Sequence, residues 1–113
     1  MELWYDTQLV LYVDKLTWYD AEAHCVSKNG HLASVASLQD KKEVDDLISQ
    51  FVSNDSLQSG EYVWLGGSDA SKDGRWTWTS HTPWKVEYWK TSEPTEGYDY
   101  LATGNGKWES WGN

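Results

Sequence analysis

The stretch Tyr62-Val63-Trp64-Leu65-Gly66-Gly67 divides the chain into two halves of different character. Aromatic and β-branched residues over 62–65 predict a short buried strand. The paired glycines that follow predict a tight backbone turn. Upstream of this stretch the apolar periodicity is helical; downstream it has a period of two.

Working outward toward the N-terminus, 53–61 is a polar loop, and before it lies a helix opening at Ser37. Asp40 stands three residues after Ser37, in the manner of a capping box. Val44, Leu47, Ile48 and Phe51 form its buried face, while Lys41, Lys42, Glu43, Asp45 and Asp46 fall on a solvated one. An earlier helix is capped by Thr17 and carries Trp18, Ala21, Cys25 and Val26 on one stripe. Asn29-Gly30 ends it with the residue types that helix C-termini prefer. Before that helix, Leu9-Val10-Leu11-Tyr12-Val13 reads as a buried strand.

Working outward the other way, Arg75-Trp76-Thr77-Trp78-Thr79 alternates, so both tryptophans face one side. Residues 80–97 are long and irregular, a length that is usually functional or disordered. Trp84, Tyr88 and Trp89 within it argue for packed order. Residues 98–103 and 107–111 form a hairpin around Gly104-Asn105-Gly106.

The 113 residues suit one domain, 1–113. Eighteen acidic against nine basic residues give a formal charge of -9. That balance repels nucleic acid and anionic membranes and favours a cation. No apolar run is long enough to span a bilayer, and no signal-peptide pattern is present. Cys25 is the one cysteine and has no internal partner. Taken alone it favours a reducing compartment or a fragment lacking the second cysteine. Seven of the nine tryptophans lie between 64 and 111, and roughly two thirds of all nine are expected in the core.

In this order the pieces resemble the C-type lectin-like domain over nearly the whole chain. Thr17-Trp18-Tyr19-Asp20-Ala21-Glu22-Ala23-His24-Cys25 looks like the family's first helix. Gly30-His31-Leu32-Ala33-Ser34-Val35 resembles the lead into its second helix. Val63-Trp64-Leu65-Gly66-Gly67 is similar to the WIGL motif, and Asp73-Gly74-Arg75-Trp76-Thr77-Trp78 to the strand after it. Trp89 with Glu93-Pro94-Thr95 resembles the EPN-type motif, and Gly106-Lys107-Trp108-Glu109-Ser110 the WND-type strand. The resemblance implies an α+β fold with two helices, a small antiparallel sheet and a long irregular loop region. It also implies an extracellular or cell-surface setting.

The departures carry information too. The family usually has two disulfides. Here the partner of Cys25 would sit in a final strand beyond Asn113, and Tyr100 and Asn113 stand at the second pair's positions. The chain therefore reads as lacking its last strand, and an unpaired sheet edge invites a complementing strand from a partner or a second copy.

The resemblance implies sugar binding through a calcium ion held by the EPN- and WND-type motifs. Calcium wants six to eight oxygens. The aligned positions supply Glu93, Thr95, Tyr98, Glu109 and Ser110, of which Glu93 and Glu109 are good ligands. A neighbouring calcium site of the family falls on Asp69, Asp73, Glu96 and Asp99, all acidic. Like charges gathered there call for a neutralising cation, although Asp69 and Asp73 also suit an ordinary turn. Trp84, Trp89 and Trp111 are candidates for stacking on a sugar.

Enzyme readings are poor. His24, His31 and His81 lack metal-binding spacing, Ser80-His81 has no acid partner or oxyanion loop, and Cys25 sits on an apolar stripe. Three binding readings remain: glycan recognition on the long-loop face with calcium, protein recognition on the same face, and a calcium-stabilised structural module.

Overall fold

The computed structural model describes residues 2–5, 9–12, 15–57, 61–72 and 74–112, with the side chains of 2–5 outside that description. Asp73 and Asn113 lie outside the described residues.

Strand β1 (Glu2–Tyr5) pairs antiparallel with β2 (Leu9–Tyr12). Helix α1 (Trp18–Ser27) follows, opened by Thr17, whose hydroxyl accepts from the Asp20 N–H at 3.2 Å. Asn29 ends it in the left-handed region, φ 66°, while the Gly30 N–H donates to the Cys25 carbonyl. Trp18, Ala21 and Cys25 are buried as one stripe. Val26, expected on that stripe, is 51% exposed. It lies about 100° around the helix from Cys25, beyond the edge of the covered face.

Strand β3 (His31–Leu32) leads to α2 (Leu38–Ser53). Ser37 Oγ accepts from the Asp40 N–H at 3.1 Å, and Asp40 Oδ2 accepts from the Ala36 N–H at 2.9 Å. The reciprocal arrangement matches the capping-box expectation, shifted back by one residue. Val44 is buried, with Leu47, Ile48 and Phe51 packed beside it. Leu57, in the polar loop beyond, is also core at 4% exposed.

Strand β4 (Val63–Ser68) continues through the two glycines, where a turn was expected, with a shift of pairing register between Trp64 and Ser68. The glycines are there for close approach. A Cβ on Gly66 would stand 2.7 Å from the Leu32 carbonyl oxygen, and one on Gly67 2.7 Å from Leu101 Cδ2. Strand β5 (Thr77–Trp78) pairs with its end. Trp76 and Trp78 are both buried, as their alternation requires.

Strands β6 (Tyr100–Gly104) and β7 (Lys107–Trp111) close as a two-residue hairpin. Asn105 and Gly106 sit at φ 52° and 77°, the backbone that an Asn-Gly turn supplies. The path through the sheet is β2-β1-β4-β6-β7, with β3 on β1 and β5 on β4.

Two features fix the long-loop region. One is a tryptophan stack over the sheet: Trp78 lies on Trp84 at 4.5 Å, and Trp108 meets Trp78, Trp84 and Trp89 edge-on at 5.7–5.8 Å. The other is the outer edge of β7. Its Trp108 N–H donates to the Tyr88 carbonyl, the Lys90 N–H donates to the Trp108 carbonyl, both at 2.9 Å, and the Ser110 N–H donates to Glu93. The edge is thus covered by the chain's own loop, which removes the β7 donors a complementing strand would need.

Glu22 joins the other side of the molecule. Its Oε1 accepts from the Leu32 N–H at 2.9 Å and the Thr79 hydroxyl at 3.2 Å, and its Oε2 lies 2.8 Å from His31 Nδ1. No described helix is long and apolar enough to cross a membrane.

Candidate functional site

Where the 80–97 segment crosses the end of β7, it brings Glu93, Thr95 and Ser110 together. Glu93 Oε1 accepts from the Ser110 N–H and hydroxyl, each at 3.0 Å, and from the Thr95 N–H at 3.1 Å. Its Oε2 accepts from the Thr95 hydroxyl at 3.1 Å. Ser110 Oγ in turn accepts from the Thr95 N–H at 2.7 Å. Burial alone would raise the Glu93 pKa, but these bonds from Ser110 and Thr95 outweigh it and hold the carboxyl below its ordinary value. The Glu93–Pro94 peptide is cis.

Glu109 does not join this group. Alternation along β7 buries Trp108 and Ser110 and turns Lys107, Glu109 and Trp111 the other way. Glu109 there accepts the Tyr62 hydroxyl and pairs with Lys90 at 3.4 Å. That bond, followed by burial and the charges of Glu109 and Glu93, raises the Tyr62 pKa. Trp111 leans on Tyr62 at 5.0 Å over a separate hollow of about 190 Å³ that also involves Trp64 and Ala102. Trp89 and Trp111 thus stand in different places.

Of the second set of acids, Asp69 follows the end of β4 and Asp99 precedes the start of β6. The Asp69 N–H donates to the Asp99 carbonyl at 3.1 Å, and Asp69 Oδ2 accepts the Gly74 N–H at 2.9 Å, so this aspartate organises its own turn. Asp69 is only 8% exposed, and its Oδ1 has no hydrogen-bond partner. Leaving such an acceptor unpaired costs about 1–3 kcal/mol. Glu96 is exposed, Asp99 half-buried, and Asp73 lies outside the described residues. Beneath them Tyr100 stacks on Trp18 at 4.8 Å. Burial, then the hydrogen bond with Tyr19 and the nearby charges, push its pKa up to about 12.

Between these groups is a hollow of about 500 Å³ on the long-loop face. Trp76 and Trp89, edge-to-face at 5.0 Å, form its aromatic side, and Asp69, Glu87, Glu93 and Glu96 its acidic side. Glu87, which takes the Trp84 Nε1–H at 2.8 Å, gives no sign of itself in the sequence because the loop has no periodicity to place it. Trp76 was legible as a core residue; its edge on the hollow was not.

A calcium ion needs six to eight oxygens free to face it. At the EPN-type position Glu93 has spent its oxygens on Ser110 and Thr95, which fits no ion there. Among the described residues no group of three or more His, Cys, Asp or Glu side chains stands together as a metal site.

The sequence matches the Lectin C-type domain over residues 14–112. The chain belongs to the C-type lectin family. Its domain is a binding domain, not an enzyme. It is 36% identical over 81 residues to a type-2 ice-structuring protein of Brachyopsis segaliensis, covering 72% of this chain and 42% of that protein. It is 31% identical over 102 residues to the galactose-specific lectin nattectin of Thalassophryne nattereri, covering 87% and 60%. The chain therefore spans about half the length of these curated relatives. Among solved structures, a calcium-independent type II antifreeze protein superposes with a TM-score of 0.69 at 31% identity, covering 85% of this chain and 69% of that one. Human lithostathine superposes at 0.75 with 24% identity, covering 85% and 75%, which speaks for the fold.

Proposed function

We propose that this lectin domain takes a carbohydrate in the long-loop hollow without gripping it through calcium at the EPN-type motif. The supporting observation is the pairing of Trp76 and Trp89 with carboxylates in one depression, while Glu93 is saturated from within. A sugar ring has an apolar face for the exposed part of Trp89 and hydroxyls for Glu87, Thr95 and Glu96. The likeness to a lectin named for galactose and to an antifreeze protein named as calcium-independent is consistent with both halves of the proposal.

A glycan array run in chelator and in millimolar calcium tests it. Binding in both conditions is expected, weakened by Glu87→Gln. A blank array in both would leave protein recognition on this face as the better reading.

One observation favours a second reading. The buried, unpartnered Asp69 Oδ1 is what a bound cation would leave behind. Asp69, Asp73, Glu96 and Asp99 would then hold a stabilising calcium ion. Melting with calcium and with chelator separates the two: a calcium-dependent rise abolished by Asp73→Ala supports the ion.

A further inference from the structure

We propose that Asn54 is the acceptor of an N-linked glycan. Asn54-Asp55-Ser56 has the form this modification requires: an asparagine, a residue other than proline, then a hydroxyl. Asn29 and Asn105 have His31 and Lys107 two positions on and lack the hydroxyl. The assignment is independent of what the long-loop hollow binds, and Asn54 is not among the residues lining that hollow.

A three-residue match carries little by itself; the local structure gives it weight. Asn54 caps the C-terminus of α2, and residues 53–56 are all exposed. Leu57 then turns back into the core at 4% exposed and anchors the segment. The backbone donors are taken up locally. The Asn54 N–H donates to the Gln50 carbonyl, that of Asp55 to Val52, and those of Ser56 and Leu57 to Phe51, at 2.9–3.2 Å. The turn is thus held by backbone, and a bulky substituent on the exposed Asn54 displaces no buried side chain. The Ser56 N–H also reaches Asn54 Oδ1 at 3.0 Å. This Asx turn brings the carboxamide beside the serine and engages its oxygen, so the nitrogen, where a glycan is attached, stays outside that bond. Asp55 stands at φ 64°, which aspartate tolerates and proline cannot adopt.

The co-reactant is an oligosaccharide carried on a lipid pyrophosphate, delivered by a membrane-bound transferase. Asn54 Nδ2 forms a bond to the first carbon of the sugar and gives up one proton. The bond from that carbon to the pyrophosphate oxygen breaks, and the lipid pyrophosphate leaves with the electron pair. Nothing is oxidised or reduced. The extracellular or cell-surface setting expected for the family is reached through the compartment where this transfer takes place. The product is a bulky, solubilising group that bars the C-terminal end of α2 to protein partners.

Translation of the full chain behind a secretory signal, with microsomes present, reads the transfer before folding or export can limit it. The parent chain is expected to gain the mass of one glycan. Peptide N-glycosidase should remove that mass and leave an aspartate at position 54. Asn54→Asp keeps the oxygen that accepts from Ser56 and should carry no glycan. Ser56→Ala keeps the backbone N–H and should also carry none, whereas Ser56→Thr, which keeps a hydroxyl, should carry it. A role for Asn54 confined to closing the helix end would not move these masses. On the chain secreted from eukaryotic cells, the glycosidase should act without denaturant, as an exposed helix end requires. A parent chain at its unmodified mass, or a glycan retained by Asn54→Asp, would overturn the assignment. A glycan released only after unfolding would contradict the exposed placement on which it rests.

Discussion

Glu93 and Ser110, seventeen positions apart, are joined by two hydrogen bonds into the same carboxylate oxygen, one from the serine backbone and one from its hydroxyl, each 3.0 Å. This pairing occupies the place where the family resemblance puts a calcium ligand, and it also caps the edge of β7. Removing the carboxylate leaves the Ser110 N–H and hydroxyl without this acceptor, while the Thr95 N–H keeps Ser110 Oγ. Glu93→Ala should therefore cost about 2–3 kcal/mol, as bonds to a charged group do. Ser110→Ala keeps the backbone bond and should cost about 1 kcal/mol. Urea denaturation measures both; equal, negligible losses would contradict the role assigned to the pair.

Acid should weaken the same contact. The folded pKa of Glu93 lies below its unfolded value of about 4.5, so its contribution is complete above that value and is lost as pH falls through the folded one. The stability gap between the parent chain and Glu93→Gln should be largest near neutrality and close on acidification. A gap that is constant across the acid range would contradict this.

Tyr100 gives the opposite limb. Its pKa is raised to about 12 in the fold against 10.0 unfolded. The neutral phenol's contribution is complete below pH 10 and is lost between there and the folded value. Ultraviolet difference titration should show Tyr100 ionising only as the protein unfolds in alkali. Tyr100→Phe should remove that late step.

Gly66→Ala tests the reading of β4 as a strand that needs close approach. The added methyl meets the Leu32 carbonyl oxygen at 2.7 Å, and backbone cannot swing aside as a side chain can. A loss of about 1–3 kcal/mol is expected. Gly112→Ala, with open space around it, should change little and serves as the control.

Much of the fold was legible because local rules and tertiary packing agree. Thr17, Ser37 and Asn29 act as the caps and stop their types suggest, and Asn105-Gly106 makes its hairpin. Gly66 and Gly67 were read as a turn because sequence alone cannot distinguish a glycine needed for φ from one needed for space. The site was less legible. Glu93, Thr95 and Ser110 do come together, but as partners of one another, since nothing in their spacing tells a ligand set from a hydrogen-bonded knot. Glu109 and Trp111 were separated from them by strand alternation, which the motif resemblance overrode. Glu87 and the exposed edge of Trp89 depend on how an aperiodic loop folds back on Trp108, a tertiary fact.

The central claim is carbohydrate recognition in the long-loop hollow with no calcium grip at Glu93. Titration of the best array glycan into the chain, once in chelator and once in millimolar calcium, tests it most directly. The account predicts the same dissociation constant in both, weakened by Glu87→Gln and unaffected by Trp111→Ala. Binding that appears only with calcium and disappears with Glu93→Ala would contradict it.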